Sequence, residues 1–380
     1  MPSIGSTNPS HVFKDMQPNL FFKMFSNCIV SAGANRSLIL DLQRDLYLTI
    51  PDTMNEVIDM FNDKRSVREV YDFYGSENEA VINEYLDFLT QHNLGFFSGA
   101  KEYDRFTAMD KTFETPFEIT NCIVEISDKT RLHFDRIIDQ LESVNCNNLQ
   151  LICYNELELQ ELKYYLQKTA ESNFRSIELI LKYSDKVFYF INEIDYCNQR
   201  VTKLLLHGAA DKNKGVDQEN LSFTVSFLDH SIDNFGYCGV VDKKYFNINR
   251  DKVLESLSHN SCLNKKLTID HDGNIKNCPS INHTYGNIAT SDIQNAIKNP
   301  NFKKYWDVSK DQISVCKDCE YRHICTDCRA FVEDPEDEYS KPLKCGYSPY
   351  TNDWQEWSTN PLKQKAIDFY GIRELVKKVI

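Results

Sequence analysis

Apolar and polar positions change their rhythm three times along the chain. In the first hundred residues, "FSNCIVSAG" and "RSLILDLQRDLYLTIP" are apolar and β-rich, and "GANR" between them predicts a hairpin. "DTMNEVIDMFND" follows as a helix with Asp52 or Thr53 as N-cap and Glu56 in its first turn. "SVREVYDFYG" is a second helix, capped by Ser66 and stopped by Gly75. "SENEAVINEYLDFLTQHNLG" is a third, ended by Gly95, with Val81, Tyr85, Phe88 and Leu89 at helical spacing; "FFS" then returns as a strand.

Residues 112–250 alternate strand and helix. "PFEITNCIVEIS", "NLQLICYN", "SIELILKYS", "VTKLLLHGA" and "LSFTVSFLD" read as strands. "RLHFDRIIDQLESVN", "LELQELKYYLQKTAESN" and "DKVFYFINEIDYC" read as the helices among them. That alternation predicts βαβ units and a parallel sheet. About six strands fit, short of the eight of a closed barrel, so an open, partial barrel is expected. Residues 251–380 break the rhythm with turn-rich segments and a closing helix in "NPLKQKAIDFYGIRELVKKVI". The fold class is α/β: a partial (β/α)6 barrel after a hairpin-plus-three-helix unit of winged-helix-like shape.

Composition narrows the function. The 380 residues carry a net charge of −13 and a pI near 5.2, which argues against nucleic acid or an anionic membrane as the main partner. The third helix carries Glu77, Glu79, Glu84 and Asp87 and no Lys or Arg, so the winged-helix-like shape is not read as a DNA binder. "MPSIGSTNPSHVFKDMQPN" lacks the apolar region of a signal peptide. Residues 1–20 are expected as a disordered lead-in and the protein as cytoplasmic.

Thirteen cysteines are many for a reducing compartment, where clustered thiols more often mean metal than disulfide. Cys28, Cys122, Cys146, Cys153, Cys197 and Cys238 are scattered and read as small buried residues. The other seven, Cys262, Cys278, Cys316, Cys319, Cys325, Cys328 and Cys345, all follow residue 260. Four of them form C-x2-C-x5-C-x2-C in "CKDCEYRHICTDC". "LTID" and "NIKN" around the turn "HDGN" predict a hairpin, with Gly273 free to take positive φ, that returns Cys278 toward Cys262. Thiolates at these spacings suit zinc and iron–sulfur centres alike.

Cys262, then Gly273-x4-Cys278, the tight run and Cys345 together resemble the SPASM domain, the C-terminal extension of radical S-adenosylmethionine enzymes that modify peptides. The departure is the last pair, where two residues, Thr326 and Asp327, stand in place of the usual three. "YGNI" at 285–288, followed by a helix ending near Trp306, also fits. The resemblance implies one or two 4Fe–4S clusters. Cys316, Cys319, Cys325 and Cys345 would hold one; Cys262, Cys278 and Cys328 would hold the other. The fourth ligand of the second is an open iron, Cys238 or His259.

The hairpin and three helices resemble the leader-peptide recognition element of ribosomal peptide-modifying systems. There a leader peptide adds as a strand to the hairpin edge, against the third helix. "DHDGNIKNCPS", "CTDCRAFVEDPED" and "YSKPLKCGYSPYT" resemble the SPASM-domain peptide maturase of grasp-with-spasm systems, whose partners are a precursor peptide and an ATP-grasp peptide ligase.

The C-x3-C-x2-C motif of radical S-adenosylmethionine enzymes occurs nowhere in the chain, and "CYNELEL", with Glu156, stands in place of their Gly-Gly-Glu-Pro segment. S-adenosylmethionine is therefore not expected as a cofactor, and the barrel is read as degenerate. The expected organisation is a winged-helix-like leader-recognition domain at 21–105, a degenerate radical-S-adenosylmethionine-like partial barrel at 112–250 and a Cys-rich SPASM domain at 251–380. The expected role is maturation of a ribosomally synthesised, post-translationally modified peptide. Two other roles stay open: a redox or Lewis-acid peptide-modifying enzyme using an open-site cluster, and a zinc-stabilised interaction protein. No catalytic residue is singled out.

Overall fold

A computed structural model describes residues 20–209 and 216–375. The lead-in lies outside the described residues but for Leu20, as do residues 376–380 at the end of the expected closing helix.

The first unit is richer in strands than the sequence pattern predicts. β1 (Phe21–Met24) pairs antiparallel with β5 (Gly95–Ser98), the strand anticipated at "FFS". β2 (Cys28–Ser31), β3 (Ser37–Asp41) and β4 (Leu46–Ile50) form an antiparallel meander. The single strand expected from Arg36 to Pro51 is thus a hairpin. Its turn is made by Asp41, whose Oδ1 accepts the N–H groups of Gln43 and Arg44 at 3.0 and 3.1 Å, while Asp45 takes a φ of 53°.

The three helices are α1 (Asp52–Asn62), α2 (Val67–Tyr74) and α3 (Glu79–Gln91). Ser66 and Glu69 form a capping box on α2, and Gly75, at φ 86°, ends it. Pro51, not Asp52 or Thr53, is the N-cap of α1; Asp52 instead accepts from the Ser37 hydroxyl at 2.8 Å. α3 stops before His92, where Asn93 turns the chain at φ 53°, and Gly95 opens β5. Phe22, Ile39, Ile50, Ile58, Phe61 and Leu89 fill the core between helices and strands. α4 (Ala100–Tyr103) ends the unit, its Tyr103 hydroxyl donating to the Phe61 carbonyl at 2.6 Å.

The central sheet has seven strands. β6 (Asn121–Glu125), β7 (Asn148–Cys153), β8 (Ser176–Lys182), β9 (Val201–His207) and β10 (Thr224–Leu228) run parallel and adjacent in chain order. The short α5 (Asp128–Arg131), then α6 (Phe134–Ser143), α7 (Leu159–Ala170) and α8 (Asp185–Cys197) make the crossovers. After α9 (Arg250–Ser258), β11 (Lys266–Ile269) joins parallel to β6, and β12 (Ile275–Lys276) folds back antiparallel on β11. The sixth parallel strand therefore comes from beyond residue 250, from the expected Cys-rich region. Leu267 and Ile269 stand beside Cys122 and Val124 and complete the apolar layer there.

Strand alternation divides the sheet. Cys122, Val124, Leu149, Leu151, Ile177, Leu179, Leu204 and Leu206 face the helices and are buried. The opposite face carries Asn121, Glu125, Gln150, Glu178, Lys203, Lys266 and Thr268, a polar lining at odds with a packed barrel interior. Gln150 donates to Glu178 across it at 2.7 Å.

The last third is mostly irregular: α10 (Ile293–Lys298) with a short helical turn at Pro300–Lys303, β13 (Tyr347–Ser348), β14 (Asp353–Trp354) and α11 (Gln364–Phe369). α11 is shorter than the expected closing helix, and Gly371 follows it at φ 64°. Ile29, Leu38 and Leu40 of the first unit pack against Val253, Leu254, Tyr321 and Ile324. No helix among the described residues is long and apolar enough to cross a membrane.

Candidate metal centre: two sets of thiols

Cys316, Cys319, Cys325 and Cys345 line one small cavity together with Lys310 and Trp354. Its free space is about 20 Å³, room for one water. The tight run reaches it through sharp turns: the Cys319 N–H donates to the Cys316 carbonyl at 2.9 Å, and Cys316 donates to Ser314 at 2.8 Å. Val315 takes a φ of 67°, which a β-branched residue adopts only under constraint from its surroundings. Cys345 arrives from the far end of the chain, its carbonyl held by the buried Lys363 ammonium at 2.7 Å. Lys310 Nζ lies 3.1 Å from Cys325 Sγ. Burial pushes the Cys316 thiol up to about 12, against the pull of Lys310, and raises Cys325 and Cys319 as well.

The second set forms around the β11–β12 hairpin. Asp270 Oδ1 accepts the N–H groups of Asp272 and Asn274 at 3.0 and 2.9 Å, and Gly273 takes its φ of 82°. This returns the chain so that burial, then the Cys262, Cys328 and Cys238 thiols, raise the Cys278 thiol. Burial, then Cys262 and Cys238, push Cys328 up to about 12.

A buried network aligns the set. Asn260 Oδ1 accepts the Cys262 N–H at 3.0 Å, its amide donates to Asp327 at 2.7 Å, and Asp327 pairs with Arg329 at 2.6 Å. Asp327 is one of the two residues between Cys325 and Cys328. Lys266 Nζ lies 3.3 Å from Cys262 Sγ.

Of the three candidates for the fourth position here, Cys238 stands beside the set. Its residue is exposed, yet its thiol is crowded by protein and raised by burial and by Cys262. Gly239 next to it abuts Cys328. His259 turns away: its Nδ1 lies 2.8 Å from Asp307 Oδ1 and its ring stands edge-on to Phe113. Cys122, Cys146 and Cys153 are buried, Cys28 and Cys197 half-buried. Among the described residues, no three His, Cys, Asp or Glu side chains converge closely enough to hold one metal ion.

The C-terminal end of β6 carries a different cluster. The buried Glu125 accepts from Tyr154 Oη at 2.8 Å and from the His271 N–H at 2.5 Å, with His271 Nδ1 at 3.0 Å. Ser127 and Thr130 cap the turn of α5 that follows. Glu156 is exposed. Lys266, Lys310, Asn260 and Gly239 are not legible as site residues in the sequence. The one available signal is that each lies within a few residues of a chain reversal or a cysteine.

Residues 261–320 match the SPASM family, an iron–sulfur cluster-binding domain. The match spans Cys262, Cys278, Cys316 and Cys319. None of the curated proteins matches the chain. Among solved structures, the chain is similar to Streptococcus suis SuiB bound to its precursor peptide SuiA, at 9% identity and a TM-score of 0.36, covering 86% of this chain and 98% of that one. SuiB bound to S-adenosylmethionine aligns at 9% identity and 0.35, covering 85% and 99%. A further SuiB crystal structure aligns at 12% identity and 0.35, covering 86% and 98%.

Proposed function

We propose that the protein is a maturation factor for a ribosomally synthesised, post-translationally modified peptide, with two iron–sulfur clusters in its last third. The reading rests on one observation: eight thiols gather as two sets of four, Cys316, Cys319, Cys325 and Cys345, and Cys238, Cys262, Cys278 and Cys328. Four soft sulfur donors in a largely apolar surround suit a 4Fe–4S cluster. A four-iron core is larger than the water-sized space in the first set, so holding it turns those side chains outward. An eighth thiol beside Cys262 favours coordinatively filled clusters over an open iron, and so a binding and delivery role over catalysis at the cluster. When bound, such clusters supply a fold-stabilising cross-link and a reversible electron store. The chain's own residues orient them: Asn260, Asp327 and Arg329 hold Cys262 against Cys328, and Lys363 holds Cys345.

In this reading residues 21–105 are a winged-helix-like unit that takes the leader at its hairpin edge, against α3, residues 112–250 a degenerate partial barrel, and 251–380 the SPASM domain. The polar sheet face offers the core peptide a cavity of about 780 Å³, lined by Asn121, Gln150, Glu178, Cys262 and Lys266, within the range of ligand pockets. An ATP-grasp ligase is the proposed partner that makes the bond.

The test is anaerobic purification of the full chain with iron, sulfide and zinc analysis, and titration with the precursor peptide. Iron and sulfide in equal amounts, with the leader alone competing for binding, support the reading. Stoichiometric zinc without sulfide, or no precursor binding, overturns it. The full chain is needed because Ile29, Leu38 and Leu40 lose their cover when residues 21–105 are cut out.

A further inference from the structure

Lysine is rarely buried without an anion to balance it, because taking an ammonium out of water costs several kcal/mol. Where this chain buries Lys363, it supplies the anion: Glu333 lies 2.5 Å away. Two lysines depart from this: Lys344, whose ammonium donates to the Gly236 and Cys238 carbonyls, and Lys310. Lys310 is 5% exposed, and among the described residues no carboxylate comes within ion-pair reach of its Nζ. The nearest one, Asp327, is taken by Arg329 and Asn260. What the Lys310 ammonium touches is the Cys325 sulfur at 3.1 Å.

Lys266 repeats the pattern on the other set. It projects from β11 onto the polar sheet face, has no carboxylate within ion-pair reach among the described residues, and meets the Cys262 sulfur at 3.3 Å. Each set of thiols thus has one lysine whose hydrogen-bond partner is a ligand-type sulfur. The two lysines belong to different segments, one the first residue of β11 and the other six residues ahead of Cys316, so the arrangement is built twice.

We propose that Lys310 and Lys266 are the counter-charges of two separate iron–sulfur centres, each raising the reduction potential of the centre whose ligand sulfur it touches. The inference rests on the iron–sulfur reading above. A centre held by thiolates gains negative charge on reduction. A fixed ammonium within hydrogen-bond distance of a ligand sulfur stabilises that added charge more than the oxidised state, through both Coulomb attraction and the N–H···S bond. Because each lysine contacts one set, the effects are local. Lys310 sets the centre of Cys316, Cys319, Cys325 and Cys345, and Lys266 that of Cys238, Cys262, Cys278 and Cys328. Lys266 also lines the cavity on the sheet face, so an anionic group of a peptide bound there competes for its charge and lowers the potential of that centre alone.

The experiment is a potentiometric titration of the full chain followed by electron paramagnetic resonance, on wild type, Lys310→Gln, Lys266→Gln and the corresponding Arg variants. Gln keeps an N–H donor without charge; Arg keeps the charge. Each Gln variant is expected to lower one midpoint and leave the other in place, the two variants affecting different centres, with Arg close to wild type. A Gln variant that drops one centre while its Arg counterpart keeps it supports the same assignment. Gln variants with wild-type iron and sulfide and unmoved midpoints overturn it, as do two lysines acting on one centre. Wild-type protein lacking sulfide defeats the iron–sulfur reading itself, a result distinct from unmoved midpoints.

Discussion

Arg36 and Glu320 meet at 2.7 Å across 284 positions of sequence. Arg36 ends the turn between β2 and β3; Glu320 directly follows Cys319. The Glu320 side chain is 1% exposed and also accepts from Tyr347 Oη at 2.5 Å, and Ser31 donates to the Glu320 carbonyl at 2.7 Å. The tip of the first unit therefore grips the backbone next to Cys319, a candidate ligand.

Arg36→Met leaves the Glu320 carboxylate buried with the Tyr347 hydroxyl alone. Losing one partner of a buried pair costs about 3 kcal/mol. Denaturant midpoints of Arg36→Met, Glu320→Gln and the double variant check this. The double variant should recover part of the loss, since the uncompensated charge is gone; strict additivity would show that the pair is not coupled.

At position 239 both space and backbone demand glycine. Its φ is 83°, and a Cβ there would stand 2.9 Å from Cys328 Sγ. Gly239→Ala is expected to displace Cys238 or Cys328, and to lose about half of the iron and sulfide of the loaded protein while the set around Cys316 keeps its share. Metal analysis on the purified variant decides it. Full iron content with unchanged spectra would separate Cys238 from the centre.

Much of this was legible from local pattern. The five parallel strands β6 to β10, the Ser66 cap with its Gly75 stop, and the β11–β12 hairpin turning on Gly273 all follow from signals within ten or so residues. What sequence could not give is long-range. The pairing of β11 with β6 joins Leu267 to Cys122 across the chain, and nothing local marks it. The split of Arg36–Pro51 into two strands hung on Asp41 serving as a turn acceptor, which the apolar run around it hides. Among the candidate site residues, seven cysteines stood out by spacing. Cys238 could be no more than one candidate of three until its loop was seen against Cys328. Lys310 and Lys266 look like ordinary surface lysines until burial is known.

His207 gives a pH dependence of stability. It is fully buried at the end of β9. Its Nδ1 accepts the Ile232 N–H at 3.1 Å, so Nε2 carries the proton and donates to the Cys153 carbonyl at 3.1 Å. Burial holds its pKa below the ordinary 6.5. The unfolded chain then takes up this proton before the folded one does. The contribution is complete above pH 6.5 and declines as pH falls from there toward the folded pKa. Thermal melts between pH 7.5 and 5 should show this decline. His207→Asn, which retains an acceptor for Ile232, should be less stable throughout and flatter over that range.

Loading should release protons. Burial holds Cys316 and Cys328 near 12 and raises Cys278, Cys319 and Cys325 in the metal-free chain. Metal binds the thiolate, so each ligand first gives up a proton. Iron retained against a fixed excess of chelator is expected to rise steadily from pH 7 to pH 9. A flat profile would mean that the thiols are ionised before metal arrives.

The last prediction concerns chemistry at the end of β6. With S-adenosylmethionine and a strong reductant, the protein is expected to form no 5′-deoxyadenosine above background. Reductive cleavage needs a cluster with one iron free to chelate the amino and carboxylate groups. The three thiols for it would have to follow the first strand of the parallel sheet. After Glu125 the chain places Ser127, which caps α5, and Thr130, whose hydroxyl donates to the Glu125 carbonyl at 2.7 Å. Glu125, Tyr154 and His271 are bonded to one another across that strand end. Cys122 is 1% exposed and faces the helices. Cys146 and Cys153 are likewise buried in that layer, where burial pushes Cys146 up to about 12 and raises Cys153. None of the three reaches the site together with the others. The assay separates this from the competing possibility directly. Turnover-level 5′-deoxyadenosine that vanishes in Cys262→Ala or Cys328→Ala would place an open iron in the set around Cys238. The same product persisting in both variants would require a cluster that these thirteen cysteines do not outline.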